Sequence, residues 1–229
     1  MAVILSIETS TNVCSVALSK NGDCLAEKIN FEGPSHATLL GVYVQEMLSY
    51  VKQNNATIDA VAISCGPGSY TGLRIGVSTA KGLCFGLGIP LIAIPTLQLL
   101  ASTVKESQTI APNTLLCPML DARRMEVYTA FFDHNLQPIR KTAADIIDEK
   151  SYTDVLNNHP ILFFGNGADK CKATLTHPHA TFLNEIYPFA KNMIILAEAS
   201  YQNNQFEDVA YFEPFYLKEF VATTPKEKL

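Results

Sequence analysis

Charge is scarce in this sequence. Lys, Arg, Asp and Glu make up 17% of its 229 residues, against roughly 25% in an average soluble domain. The 17 basic residues are outnumbered by 22 acidic ones, for a formal net charge of −5. Without a basic excess the chain is not expected to hold nucleic acid by overall charge, because phosphate binding is dominated by Lys and Arg. The low total leaves neutral surface that suits a partner-covered face. No apolar run reaches the roughly eighteen residues that a bilayer-spanning helix needs. The first residues lack a cationic stretch and meet Glu8 almost at once, unlike a secretory signal. The cysteines at 14, 24, 65, 84, 117 and 171 form no Cys-x-x-Cys pair. Most stand in apolar runs, where a free thiol packs as a small hydrophobe. A reduced, cytoplasmic protein is expected.

What is present is a core: 48% of the residues are hydrophobic, enough for one large domain or two small lobes. Apolar runs predict strands over 3–7, 13–19 and 24–29, with Asn21-Gly22 as a turn. Gly33-Pro34-Ser35 then precedes a helix over 36–51. A strand over 60–65, a helix over 71–87, a strand over 91–94 and a helix over 96–104 follow. The polar connector 105–113 is the best boundary. Beyond it come strands over 114–120 and 125–132, helical segments near 142–148 and 151–157, a strand over 161–164 and a helix over 188–201. Segment 209–220, with Pro214, reads as extended and edge-like, and the polar tail begins at Thr223. The order of elements suggests a duplicated α/β unit, although no direct repeat is visible.

The first helix has something to bury on both sides. Leu40, Val44 and Met47 follow helical spacing, and Leu39 and Tyr43 widen the face. The second carries glycines at 72, 76, 82 and 86, each costing roughly 1 kcal/mol relative to alanine. Gly72, Gly76 and Ala80, beside Leu73, form one stripe. Close approach of another backbone explains it, either this chain's own sheet or a partner helix.

Four loops are candidates for chemistry. Glu8-Thr9-Ser10-Thr11 follows the first strand, where actin, sugar kinases and Hsp70-like ATPases place an Asp-x-Gly-Thr phosphate loop. Here Glu replaces Asp and Ser10 replaces Gly, which obstructs backbone approach to a phosphate. Gly66-Pro67-Gly68-Ser69-Tyr70-Thr71-Gly72-Leu73-Arg74 joins a buried strand to a helix. Its glycines free the backbone, and Ser69 or Thr71 can cap the helix, whose N-terminus favours anions. It lacks the lysine of the common phosphate loop. Asp121-Ala122-Arg123-Arg124, with Glu126, sits at a strand turn, and its charges can pair with one another or meet a partner. Gly165-Asn166-Gly167 ends another strand.

The string 66–74 resembles the signature of the bacterial TsaB (YeaZ) family. Ile7-Glu8-Thr9-Ser10, Asp121-Ala122-Arg123-Arg124-Met125-Glu126-Val127-Tyr128 and Glu213-Pro214-Phe215-Tyr216-Leu217 are similar to its other blocks and occur in its order. Lys218 stands where members often carry Arg. The resemblance implies a two-lobed actin/Hsp70/sugar-kinase (ASKHA) fold, with lobes 1–106 and 107–204 and segment 205–229 packing back on the first. It implies service in forming N6-threonylcarbamoyladenosine (t6A) at position 37 of tRNA. The expected role is a non-catalytic scaffold that pairs with the transferase TsaD, helps recruit the ATPase TsaE, and forms a homodimer when alone. It needs no cofactor of its own, with ATP and metal held by the partners. In such a fold Glu8, Thr9, Ser10, Asp121, Arg123, Gly165 and Gly167 would outline a vestigial nucleotide cleft. Leu39, Leu40, Tyr43, Val44, Met47, Gly72, Leu73, Gly76 and Ala80 would form the partner surface. TsaD carries a His-x-x-x-His metal pair on its first long helix, whereas His36 is followed by Leu40, and His36 is expected to be an exposed or capping residue. An actin-like ATPase or kinase is the competing reading, and a metallohydrolase the most distant one.

Overall fold

The computed structural model describes residues 2–32 and 35–218. The first half builds β1 (Val3–Glu8), β2 (Cys14–Lys20), β3 (Asp23–Asn30), α1 (His36–Gln53), β4 (Ala60–Gly66), α2 (Tyr70–Leu87), β5 (Leu91–Pro95) and α3 (Thr96–Ser107). The second half builds β6 (Leu115–Asp121), β7 (Glu126–Phe132), β8 (Pro138–Ile146), α4 (Thr153–Leu156), β9 (Ile161–Phe164), β10 (Ala180–Phe182) and α5 (Ile194–Gln202). The strand orders are β3-β2-β1-β4-β5 and β8-β7-β6-β9-β10. In both sheets the first three strands pair antiparallel and the last two join in parallel. One plan is therefore used twice, as in the two-lobed actin-like fold. The duplication absent from the residues is present in the topology.

β1 is buried along its whole length because both of its faces are covered. Leu5 and Ile7 pack with Val61, Ile63, Leu40 and Val77, on the side of α1 and α2. Ile4 packs with Ala62, Ile92, Leu99 and Ala197, on the side of α3 and α5. This arrangement corrects the partner surface expected from the sequence. Leu40, Val44, Met47, Leu73 and Ala80 are all 5% exposed or less and form part of this chain's own core. Their helical spacing marks the inner face. Leu39 and Tyr43 are half-buried beside it.

The glycine stripe of α2 has an equally internal cause. A Cβ on Gly72 would lie 2.1 Å from the Thr9 carbonyl oxygen, and one on Gly76 would lie 2.2 Å from Thr9 Oγ1. The neighbour that needs the space is the loop after β1. Gly82 and Gly86 face open space instead.

Residues 142–148 are not helical. Most of that span belongs to β8, an edge strand paired only with β7. Ala143, Ile146 and Ile147 mimic helical spacing, and an edge strand exposed on much of its surface shows no clean alternation. Helix 151–157 shrinks to the single turn of α4, and the short strand β10 has no counterpart among the predicted elements. Segment 209–218 forms no strand. Glu207 bridges to Leu91 on the edge of β5, after which the Asp208 carboxylate accepts from the Ala210 N–H at 2.8 Å and turns the chain. Lys81 Nζ then donates to the carbonyls of Ala210 and Phe212 at 3.1 and 2.8 Å, and the Phe215 N–H donates to the Cys65 carbonyl at 2.7 Å. Residues 219 and 220, and the tail from Thr223, lie outside the described residues.

Two alanine substitutions on α2 are expected to move stability in opposite directions. Gly82→Ala gains helix propensity in open space, about 0.5–1 kcal/mol. Gly72→Ala drives a methyl into the Thr9 carbonyl and costs about 1–3 kcal/mol. Urea unfolding of the two variants side by side checks the pair. Equal midpoints would contradict the sealing of the β1 loop under α2.

Candidate functional site: the cleft between the lobes

The loops β1–β2 and β6–β7 are equivalents in the two copies of the unit, and they face each other across a cleft of about 600 Å³. Residues 10–12, 67–71, 120–123 and 215–218, with Tyr128 and Asn166, line it. Of the expected cleft residues, Ser10, Asp121 and Arg123 reach it, whereas Glu8, Thr9, Gly165 and Gly167 do not.

Glu8 turns away from the cleft and is completely buried. Its Oε1 accepts from the Ser10 N–H and from Ser10 Oγ, both at 2.5 Å. The Ser64 hydroxyl lies close by, and its proximity also favours the ionised carboxyl. Burial raises this carboxyl from its ordinary 4.5 to about 7, against the lowering effect of the Ser10 bonds. Thr9 is sealed under α2, where its hydroxyl donates to the Gly72 carbonyl at 2.8 Å.

The loop before α2 closes on the same segment. The Ser69 N–H donates to the Ser10 carbonyl at 2.7 Å, and a Cβ on Gly68 would lie 2.4 Å from that oxygen. Ser69 caps α2 by accepting from the Gly72 N–H at 3.2 Å. Gly66 adopts a φ of +110°, and a side chain there would meet the Phe215 carbonyl at 2.6 Å. Three of the string's glycines thus let backbone touch backbone, and one amide at the anion-binding end of α2 is already taken. Pro67, Gly68, Ser69 and Thr71 line the cleft, while Arg74 lies outside it with its guanidinium over the Tyr70 ring. The Cys65 thiol beside this loop is pushed by burial to about 12, far from nucleophilic.

On the opposite wall, Asp121 pairs with Lys170 and Glu126 with Lys218. Lys170 also donates to the Glu126 carbonyl at 2.7 Å. Gly165 and Gly167 serve as a fastener, because side chains there would strike the Met119 carbonyl and the Leu120–Asp121 peptide of β6. Asn166 between them accepts from the Asp121 N–H at 3.0 Å. Lys170 and Lys218 carry no signal for this site in the sequence. Both lie far along the chain from the carboxylates they meet, and neither stands in a recognisable spacing with them. His36 corrects another expectation: it is 6% exposed, and its Nε2 sits 2.8 Å from the Thr11 carbonyl. It pins α1 to the same loop.

A family model described as TsaD: tRNA N6-adenosine threonylcarbamoyltransferase matches residues 32–226. The chain is 30% identical over 166 residues to the tRNA threonylcarbamoyladenosine biosynthesis protein TsaB of Bacillus subtilis, covering 71% of this chain and 70% of that one. The chain belongs to the TsaB family. The TsaB of Haemophilus influenzae is 28% identical over 228 residues, 95% of this chain and 94% of that protein. YeaZ from Pseudomonas aeruginosa superposes with a TM-score of 0.80 at 24% identity, over 95% of this chain and all of that one, so the fold is shared throughout.

The buried carboxyl sets a pH dependence. Below about 4.5 Glu8 is protonated in both folded and unfolded chains. Between about 4.5 and 7 the unfolded chain releases the proton while the folded one keeps it, so this residue's contribution to stability falls as pH rises and levels off above 7. The loss is on the order of 3 kcal/mol. Glu8→Gln, which cannot ionise, is expected to gain stability relative to the parent across that window. Denaturant midpoints measured from pH 4.5 to 8 check this, and a constant difference between the two proteins would refute it.

Proposed function

We propose that this chain is the scaffold subunit of the machinery that forms t6A in tRNA. It pairs with a TsaD-type transferase and helps recruit the TsaE-type ATPase, while ATP and metal are handled in those partners. Family membership supports the pathway, since the Bacillus and Haemophilus relatives are named for threonylcarbamoyladenosine biosynthesis.

The observation that carries the scaffold role is the bond from the Ser69 N–H to the Ser10 carbonyl. It occupies the junction where an actin-like ATPase would admit a phosphate, with Thr9 fixed beneath α2 and Glu8 folded back on Ser10. This arrangement disfavours the kinase reading. Among the described residues no group of three or more His, Cys, Asp or Glu comes together to hold a metal, which leaves the metallohydrolase reading without support.

The pairing surface belongs on the outer faces of α1 and α2 rather than on the stripe that the core consumes. Val42 of α1 is 50% exposed, and Phe85 and Leu87 of α2 are 86% and 51% exposed; Gly41 next to Val42, and Gly82 and Gly86 next along α2, have nothing within 4 Å of where a Cβ would stand. Exposed apolar side chains next to bare glycines let a second helix approach closely. The same face can close on a second copy of the chain when the transferase is absent.

Light scattering of the chain alone, and mixed with the transferase subunit of the same cell, tests this. A homodimer replaced by a heterodimer is expected. Phe85→Asp should leave the melting temperature within a few degrees, because the side chain touches little of its own lobe, while weakening both associations at least tenfold. Heterodimer formation undiminished by the substitution would rule this face out.

A further inference from the structure

Two consecutive arginines form the tip of the β6–β7 hairpin in a conformation that arginine disfavours. Arg123 has φ +72° and Arg124 φ +47°, the left-handed region that Gly and Asn enter at lower cost. The tip is held by the Arg123 N–H donating to Asp121 Oδ1 at 3.1 Å and the Glu126 N–H donating to the Arg123 carbonyl at 3.0 Å. Both side chains are exposed. Among the described residues neither guanidinium has a hydrogen bond, ion pair or ring contact, so both are available at the rim of the cleft.

The surroundings define the charge of a ligand at this rim. The carboxylates nearest the tip are already neutralised, Asp121 by Lys170 and Glu126 by Lys218. Arg74 lies outside the cleft, over Tyr70. Among the described residues Arg123 and Lys218 outnumber Asp121 in the cleft lining, and Arg124 adds a second exposed guanidinium at the tip, in a chain whose net charge is −5. A local excess of the sign opposite to the whole molecule concentrates anions. Tyr216, 36% exposed, adds an aromatic surface on the same cleft.

We infer that this rim contacts RNA directly, Arg123 and Arg124 meeting backbone phosphates and the exposed Tyr216 offering a surface for an unstacked base. Cationic side chains interleaved with aromatic planes are the equipment by which single-stranded RNA is held. A lone phosphate or mononucleotide fits less well, because the Ser69 amide at the helix end is already spent on Ser10. The choice of RNA rests on the t6A reading, whereas the positive rim stands without it.

The test uses the purified chain, alone and bound to its transferase subunit, titrated with an unmodified tRNA transcript at several salt concentrations. Arg123→Asn with Arg124→Gly suits the left-handed backbone and is expected to melt no lower than the parent. It should bind the transcript on the order of tenfold more weakly. The slope of log affinity against log salt should shrink by roughly 0.7–0.9 for each arginine lost. The double lysine variant should keep the slope. An unchanged slope in the Asn-Gly variant would overturn the inference, as would a lysine variant that loses as much. Displacement of the RNA by inorganic phosphate or AMP would overturn it in favour of a small-anion site. Loss of transferase pairing with RNA binding intact would overturn it in favour of an acidic protein contact. Pairing is scored separately by light scattering: a parent chain that never pairs undoes the scaffold reading, while titration of the chain alone still decides the role of the arginines.

Discussion

The segment from Glu8 to Ser10 is the point on which this structure turns. It follows the central strand of the first sheet and is held from three directions. Gly72 and Gly76 of α2 leave room for Thr9, the Ser69 amide takes the Ser10 carbonyl, and His36 of α1 holds the adjoining Thr11 carbonyl. The loop after β1 is thus fixed from α1, from α2 and from the loop before α2, by backbone and side-chain contacts together.

The architecture was largely legible because the apolar runs are long and the turns are marked by Gly, Pro and Asn. The central strands and the first three helices lie within a few residues of their predicted bounds. The second lobe was less so. β8 was read in part as a helix, since an edge strand gains its shape from pairing with β7 rather than from any period of its own.

The site was legible as a set of strings but not as an arrangement. The string 66–74 was singled out correctly as a strand–helix junction, yet what its glycines accommodate is set by Thr9, Ser10 and Phe215, which no local rule connects to it. Periodicity likewise could not say which side of an apolar helix faces inward. Leu40, Val44 and Met47 were assigned outward, whereas the sheet claims them and leaves Val42 and Phe85 outside. Spacing identifies a face, and only the third dimension says what covers it.

The return of the chain to the first lobe has a consequence for its synthesis. Leu91, on the outer edge of β5, is bridged by Glu207, and the Cys65 carbonyl at the end of β4 waits for the Phe215 amide. On the ribosome the first lobe emerges early, but its open sheet edge and this carbonyl stay unpartnered until nearly the whole polypeptide has been made. The lobe begun first is thus finished last, and a product truncated before Glu207 would lack the bridge at Leu91 and leave the Cys65 carbonyl without its Phe215 donor.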